Sequence, residues 1–350
     1  MDDDLADRLL AVLRDATGNP ALEFAAPPVR LSGGFWAELL AFRVTGGPEG
    51  WDRDLVARIM PEPAVARKET LVQAEVARLG FATPTVRAAG GPADGLGRAF
   101  MVMDRAPGTP LLAGLNGGQV FAALPRLAAL PETLAVTMSR LHRLDPEPLR
   151  HRLGDDIPVA TTVEGLLGHL RAAAEEQQRP DLAGAARWLA GHPPPPAPEV
   201  ICHGDLHPFN LLVDSDGAIT VLDWSAALLG PRAHDVAFTA LTLAEPPILV
   251  PHPLRPVVRA AGRMLARRFV RRYRHHGGVT LDEGSLRWHQ AVVCLRALVE
   301  VAGWDAPELA TRASHPWLLS GPSFASRVSE LTGVTVRSAS RTATIAPSAR

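Results

Sequence analysis

Residues 203–210 read HGDLHPFN, between the apolar Val200, Ile201, Cys202 on one side and Leu211, Leu212, Val213 on the other. A turn, Asp214-Ser215-Asp216-Gly217, then leads into Ile219, Thr220, Val221, Leu222, Asp223, Trp224. Short apolar runs bounded by turn residues read as strands, so strands flank a polar loop and the last of them ends in a carboxylate.

Asp205 and Asn210 are five positions apart, and Asp223 lies on a strand further along. That order and spacing is the one a kinase catalytic loop uses ahead of its metal-binding Asp. Each residue type has a chemical reason to be there. One carboxylate orients a hydroxyl and takes its proton; an amide oxygen and a second carboxylate are hard donors suited to Mg²⁺ against nucleotide phosphates.

HGDLHPFN followed by VLDW resembles the signature of the aminoglycoside phosphotransferase family, relatives of choline and homoserine kinases. The resemblance runs from about residue 28 to 330 and is strongest between 200 and 238. It implies an α+β, bilobal protein-kinase-like fold, with a small antiparallel-sheet N-lobe and a larger, mainly helical C-lobe. Residues 1–103 would form the N-lobe, 104–333 the C-lobe with hinge, catalytic loop and acceptor-binding helices, and 334–350, rich in Ser, Thr, Ala and Arg, a disordered tail.

Two blander readings compete. His203 and His207 could be satisfied loop histidines, with Asp205 and Asn210 building an Asx-type turn. For the histidines this is the preferred reading. Alternatively His203, Asp205 and His207 could ligate a transition metal in a hydrolase. That leaves Asn210 and Asp223 without a role.

The 350 residues are 47% hydrophobic, enough for a sizeable core in one large fold or two lobes. A formal net charge of −1 offers no general attraction to nucleic acid or membranes. The charge is uneven, however: residues 241–350 hold fifteen Arg against seven Asp and Glu. Lys68 is the sole lysine, and the Arg, Ala and Pro usage reads as genomic composition bias. Two cysteines, Cys202 and Cys294, make no disulfide framework and point to a reducing compartment. The acidic start Asp2-Asp3-Asp4 is unlike a signal peptide, and no apolar run reaches spanning length, so a cytoplasmic protein is expected.

Along the chain, Leu5, Leu9, Leu10 and Leu13 mark a packing helix over 3–16. RLSGGFWAELLAFRV then places Ser32, Gly33 and Gly34 between two strands, where backbone N–H groups could approach phosphate oxygens; an ordinary hairpin is the simpler alternative. The next strand, 54–60, puts Arg58 where kinase-like folds carry a basic residue for the α and β phosphates. The family more often has Lys here, so a planar fork replaces a point donor.

Aligning GFATPTV with the family's turn into its fourth strand makes Glu69, on a helix over 64–79, the partner of Arg58, with Glu75 the runner-up. By the same resemblance Met103 sits beside a purine, and the backbone from Asp104 through Ala106 forms the hinge edge. A helix is expected over 131–144, and others over 163–178 and 181–189. Asp235, at the head of a later helix, matches a family Asp that braces the catalytic loop from behind. The Arg-rich helix 254–276 reads as a solvated face, and Arg296 and Glu300 on the next helix are spaced to pair.

The resemblance therefore implies a phosphotransferase that uses ATP or GTP with Mg²⁺ to phosphorylate a hydroxyl of a small molecule, an antibiotic or a metabolite. Asp205 would be the base, Asn210 and Asp223 the metal ligands. A nucleotide-binding relative that has lost catalysis is the alternative, with the metal-dependent hydrolase behind it. Expected partners are a small-molecule acceptor but neither nucleic acid nor membrane, in a monomer or homodimer.

Overall fold

LVARIM, residues 55–60, carries apolar side chains at nearly every position, the pattern of a strand covered on both faces. In the computed structural model it is the central strand of a five-stranded antiparallel sheet. The structure describes residues 3–31, 37–112, 120–154, 156–246, 252–304, 307–308 and 315–338. Ser32, Gly33, Gly34 and residues 339–350 of the expected tail lie outside these.

From the N-terminus come α1 (Asp3–Thr17), β1 (Glu23–Phe24), β2 (Val29–Leu31), β3 (Glu38–Phe42), β4 (Val44–Thr45), β5 (Leu55–Met60), α2 (Pro63–Arg78), β6 (Val86–Gly90) and β7 (Ala99–Asp104). Then follow β8 (Thr109–Pro110), α3 (Val120–Leu141), α4 (Glu147–Leu153), α5 (Val163–Glu176) and α6 (Pro180–Gly191). β9 (Glu199–Cys202), β10 (Leu211–Val213), β11 (Ile219–Val221) and β12 (Leu228–Pro231) lead into α7 (Arg232–Ala244), α8 (Arg255–Gly277), α9 (Glu283–Ala302) and α10 (Pro316–Thr332). The fold is α+β, an antiparallel sheet followed by a mainly helical region.

The chain divides into two compact units that are discontinuous in sequence. The first takes residues 1–123, 144–159 and 208–227; the second takes 124–143, 160–207 and 228–350. The sequence reading instead divides the chain into contiguous segments after residues 103 and 333. Strand pairing accounts for the 208–227 segment, because β10 joins β8 as well as β11, drawing the hairpin after the HGDLHPFN loop into the first unit.

In the first unit the large sheet runs β2-β3-β5-β7-β6. Leu40, Leu55, Ala57, Ile59 and Val102 pack with Leu5, Leu9 and Leu13 of α1 in one core. Each fully buried Leu there contributes roughly 2 kcal/mol. Ala66 of α2 packs with Met60 and Met101. α4 lies against α2, where Arg152 reaches the buried Glu75 at 3.0 Å.

The second unit is helical around the β9–β12 pair. Its core joins Leu167, Leu182, Leu189, Phe238, Val292 and Leu295 from α5, α6, α7 and α9, with Phe324 and Val328 of α10. α7 and α8 approach closely at Gly262, where a Cβ would come within 2.5 Å of the Leu243 carbonyl oxygen. α3 continues through Pro125 and Pro131, although Pro131 reads as a helix start. Burial of Leu130, Leu134, Met138 and Leu141 carries the helix past both rings. At the head of the expected tail, Val336 is buried and Val334 packs against the same core. No helix among the described residues is long and apolar enough to cross a membrane.

Candidate active site

The first unit assembles an ion cluster around Arg58. Strand alternation on β5 points this one polar residue of LVARIM away from its apolar neighbours, and α2 brings Glu69 beside it. Arg58 Nε lies 3.1 Å from Glu69 Oε1, and an Arg58 terminal nitrogen lies 3.3 Å from Asp223 Oδ2. Glu75 is engaged elsewhere, with Arg78 at 2.5 Å and Arg152 at 3.0 Å. Arg58 therefore pairs with Glu69, and the Nε contact is a charge contact without hydrogen-bond alignment.

Burial pushes the Glu69 carboxyl up to about 7; Arg58 pulls it down and Asp223 adds to the rise. Burial also works against the Arg58 charge, yet Glu69 and Asp223 together hold its pKa above the usual value. Arg58 is one cation shared between two carboxylates. The fully buried one is where the proton goes.

Asp223 has φ +65°, a left-handed backbone that costs most residues energy and that Asp tolerates better than most. Its Oδ1 accepts the Ser225 hydroxyl at 2.6 Å. Thr83 anchors the stretch around it, donating to the Val221 carbonyl oxygen at 2.9 Å and accepting the Trp224 indole N–H at 2.9 Å.

The Leu222 N–H donates to the Asn210 carbonyl oxygen at 2.9 Å, which sets the Asn210 backbone beside the residue preceding Asp223. Asn210 is partly exposed, and the Asp223 side chain is 29% exposed. An amide and a carboxylate, both hard oxygen donors with solvent access, fit Mg²⁺.

Of the expected hinge, Met103 is partly buried and its sulfur meets the Gln73 amide at 3.3 Å. The Asp104 carboxylate takes a two-pronged contact from Arg87 at 2.7 and 2.8 Å. The Asp104 N–H is used by Thr85 and the Arg105 N–H by Asp54. The Ala106 N–H has no partner among the described residues.

Asp205 belongs to the second unit. β9 delivers the chain to His203 and Gly204, whose φ of +74° turns the backbone sharply. Behind this turn lies Asp235 in the first turn of α7, fully buried. Its carboxylate accepts the N–H of His203 at 2.8 Å and of Gly204 at 2.6 Å, and contacts His142 Nε2 at 3.0 Å. His142 Nδ1 in turn meets the Tyr273 hydroxyl at 2.6 Å. Burial alone would raise the Asp235 pKa; the His142 hydrogen bond, the nearby imidazoles and the Gly204 N–H outweigh it and hold the carboxyl below its usual range.

Two more contacts fix the turn. Arg296 donates to the Gly204 carbonyl oxygen at 3.1 Å while its guanidinium lies 5.3 Å over Trp317, and Thr239 donates to the Leu206 carbonyl oxygen at 2.7 Å. The Asp205 N–H donates to His203 Nδ1 at 3.3 Å, and His207 Nε2 lies 3.5 Å from Asp205 Oδ2.

Among the described residues the three-ligand grouping that could hold a metal is His142, Cys202 and Asp235, not His203, Asp205 and His207. Its carboxylate and imidazole are already spent on the loop and on Tyr273. His142 falls inside the helix expected over 131–144, where a polar residue four positions after Met138 on the apolar face is the local signal. Nothing local announced Arg296 as a support for Gly204.

Residues 30–278 match the phosphotransferase enzyme family abbreviated APH. The chain belongs to this family. No curated protein matches it closely enough to add a narrower assignment.

Solved structures share the fold at low identity. A protein from Ralstonia eutropha provisionally described as an aminoglycoside phosphotransferase superposes with a TM-score of 0.63 at 17% identity, covering 94% of this chain and 97% of that one. A thermostable mutant of the aminoglycoside phosphotransferase APH(4)-Ia, in ternary complex with ADP and hygromycin B, gives 0.57 at 18% over 91% and 97%. The macrolide 2'-phosphotransferase MphH from Brachybacterium faecium gives 0.54 at 20% over 89% and 98%. At such identities the likeness carries the architecture, which agrees with the family membership.

Proposed function

We propose that this member of the phosphotransferase family transfers the γ-phosphoryl group of ATP or GTP to a hydroxyl of a small molecule. The acceptor oxygen forms a bond to the γ-phosphorus as the bond from phosphorus to the β–γ bridging oxygen breaks. The hydroxyl proton passes to the Asp205 carboxylate, and a nucleoside diphosphate leaves.

The observation that carries this reading is Arg58 held between Glu69 and Asp223, with Asp223 on a left-handed backbone. A cation fixed by a buried carboxylate is what a nucleotide's α and β phosphates require. Asn210 and Asp223 would hold Mg²⁺, which supplies charge neutralisation on the phosphates. Asp235 and Arg296 fix the turn that presents Asp205, so that alignment rather than strong basicity supplies much of the rate. The Ala106 N–H is the hinge donor open to a purine ring nitrogen. Ser32, Gly33 and Gly34 would cover the phosphates from the β2–β3 connection.

The metal-hydrolase alternative draws no support from the loop, where His203 Nδ1 accepts the Asp205 N–H. The acceptor belongs to the small hydroxyl-bearing molecules named above for the solved structures, macrolides and aminoglycosides, or to metabolites of similar size. Purified protein incubated with MgATP or MgGTP and a panel of macrolides, aminoglycosides, sugars and amino alcohols, read by mass spectrometry, tests this. An acceptor gaining one phosphoryl group supports the proposal; nucleotide binding without transfer to any acceptor replaces it with the catalytically silent alternative.

A further inference from the structure

α8 spans Arg255–Gly277 and holds eight arginines and no Asp or Glu, in a chain whose formal net charge is −1. The whole-chain balance hides a strong local one. Gly262, Ala266, Phe269 and Tyr273 form the buried stripe of the helix, at spacings of three and four. The opposite stripe, by the same spacing, runs through Val257, Ala260, Ala261, Met264, Arg267, Arg268 and Arg271. It is apolar over the first turns and cationic over the later ones.

This outward stripe is unusual in what it exposes. Six large apolar side chains are exposed among the described residues, and three of them, Leu254 at 51%, Val257 at 64% and Met264 at 63%, fall within eleven positions here. Beside them lies a groove of about 710 Å³ lined by Ala260, Met264 and five arginines between Arg263 and Arg272. Of these, Arg272 pairs with Glu132 at 3.0 Å. Arg263, Arg267 and Arg271 have no ion pair among the described residues.

We propose that the exposed face of α8 docks on an anionic lipid bilayer. An ordinary solvated helix face would intersperse acids with its arginines and would not present Val257 and Met264 together. A nucleic-acid surface explains the guanidinium groups but not the apolar ones. A helix lying in the interface uses both: apolar side chains enter the acyl boundary, and arginine stems lie along it while their heads reach lipid phosphates. The opposite face of α8 is held against α7 at Gly262, so no rearrangement is needed to present the stripe. No spanning segment is implied.

The test is sedimentation of the full chain with vesicles, independent of any phosphotransfer. Vesicles of equimolar phosphatidylcholine and phosphatidylglycerol should carry the protein down, and pure phosphatidylcholine vesicles should not. Arg267→Gln and Arg271→Gln should each weaken that binding about fivefold. The double variant Val257→Ser, Met264→Ser should also weaken it while leaving retention on immobilised heparin unchanged. All four side chains are exposed, so each variant should melt with the native protein. Equal sedimentation with both vesicle types overturns the proposal. So does vesicle binding that survives the double serine variant, which would mark α8 as a general polyanion surface for nucleic acid.

Discussion

The Gly204 N–H donates to Asp235 Oδ1 at 2.6 Å inside a fully buried network. One carboxylate thereby fixes the turn that carries Asp205, though it sits on the following helix and can touch no reactant from behind that turn. Removing it should harm the fold first. Asp235→Ala leaves two buried N–H groups and His142 without their acceptor, and should cost about 3 to 5 kcal/mol in urea unfolding. A loss below about 1 kcal/mol would contradict this role.

The same group sets an acid limit. Its folded pKa is depressed, so its contribution is fully present above the unfolded carboxylate pKa of about 3.9 and is lost as pH falls through the lower folded value. In urea unfolding the native protein should lose stability below about pH 4 more steeply than Asp235→Asn does.

Glu69 acts in the opposite sense. With its folded pKa raised from 4.5 to about 7, the native state holds a proton that the unfolded chain has released across that window. Stability should therefore fall as pH rises from about 4.5 to about 7, by at most about 1.4 kcal/mol per pH unit from this group. Glu69→Gln should flatten that slope. Nucleotide affinity should improve as pH rises through about 7, because the charged carboxylate then holds Arg58, and Glu69→Gln should abolish the improvement. An unchanged pH profile in the variant would place the titration elsewhere.

How much of this could be read from residues alone depends on distance along the chain. Asp205, Asn210 and Asp223 stand within one loop and hairpin, where spacing and strand alternation carry the message. Arg58 and Glu69 come from the family resemblance, through the third strand and the alignment of GFATPTV, which leaves Glu75 open as the partner. His142 and Asp235, Arg296 and Gly204, and Asp104 and Arg87 meet through packing of elements far apart or on neighbouring strands, and no local period encodes those meetings. α3 continues through Pro131 because burial of one face outweighs the local proline signal.

Asp223 offers a cleaner separation of fold from chemistry. Asn shares its tolerance of φ +65°, so Asp223→Asn should fold with little change in melting temperature, whereas Asp223→Val should be destabilised by about 1 to 2 kcal/mol. Both should lose Mg²⁺-dependent nucleotide binding in calorimetric titration. Native-like Mg²⁺ dependence in Asp223→Asn would remove this residue from the metal site.

The most direct measurement is the kinetics of Asp205→Asn set beside its nucleotide affinity. Turnover should fall by roughly 10²- to 10⁴-fold, the usual worth of a positioned base, while the dissociation constant for MgATP or MgGTP stays at the native value. Turnover that survives the substitution, or nucleotide affinity that disappears along with it, would contradict the assignment of Asp205 as the group that receives the acceptor's proton.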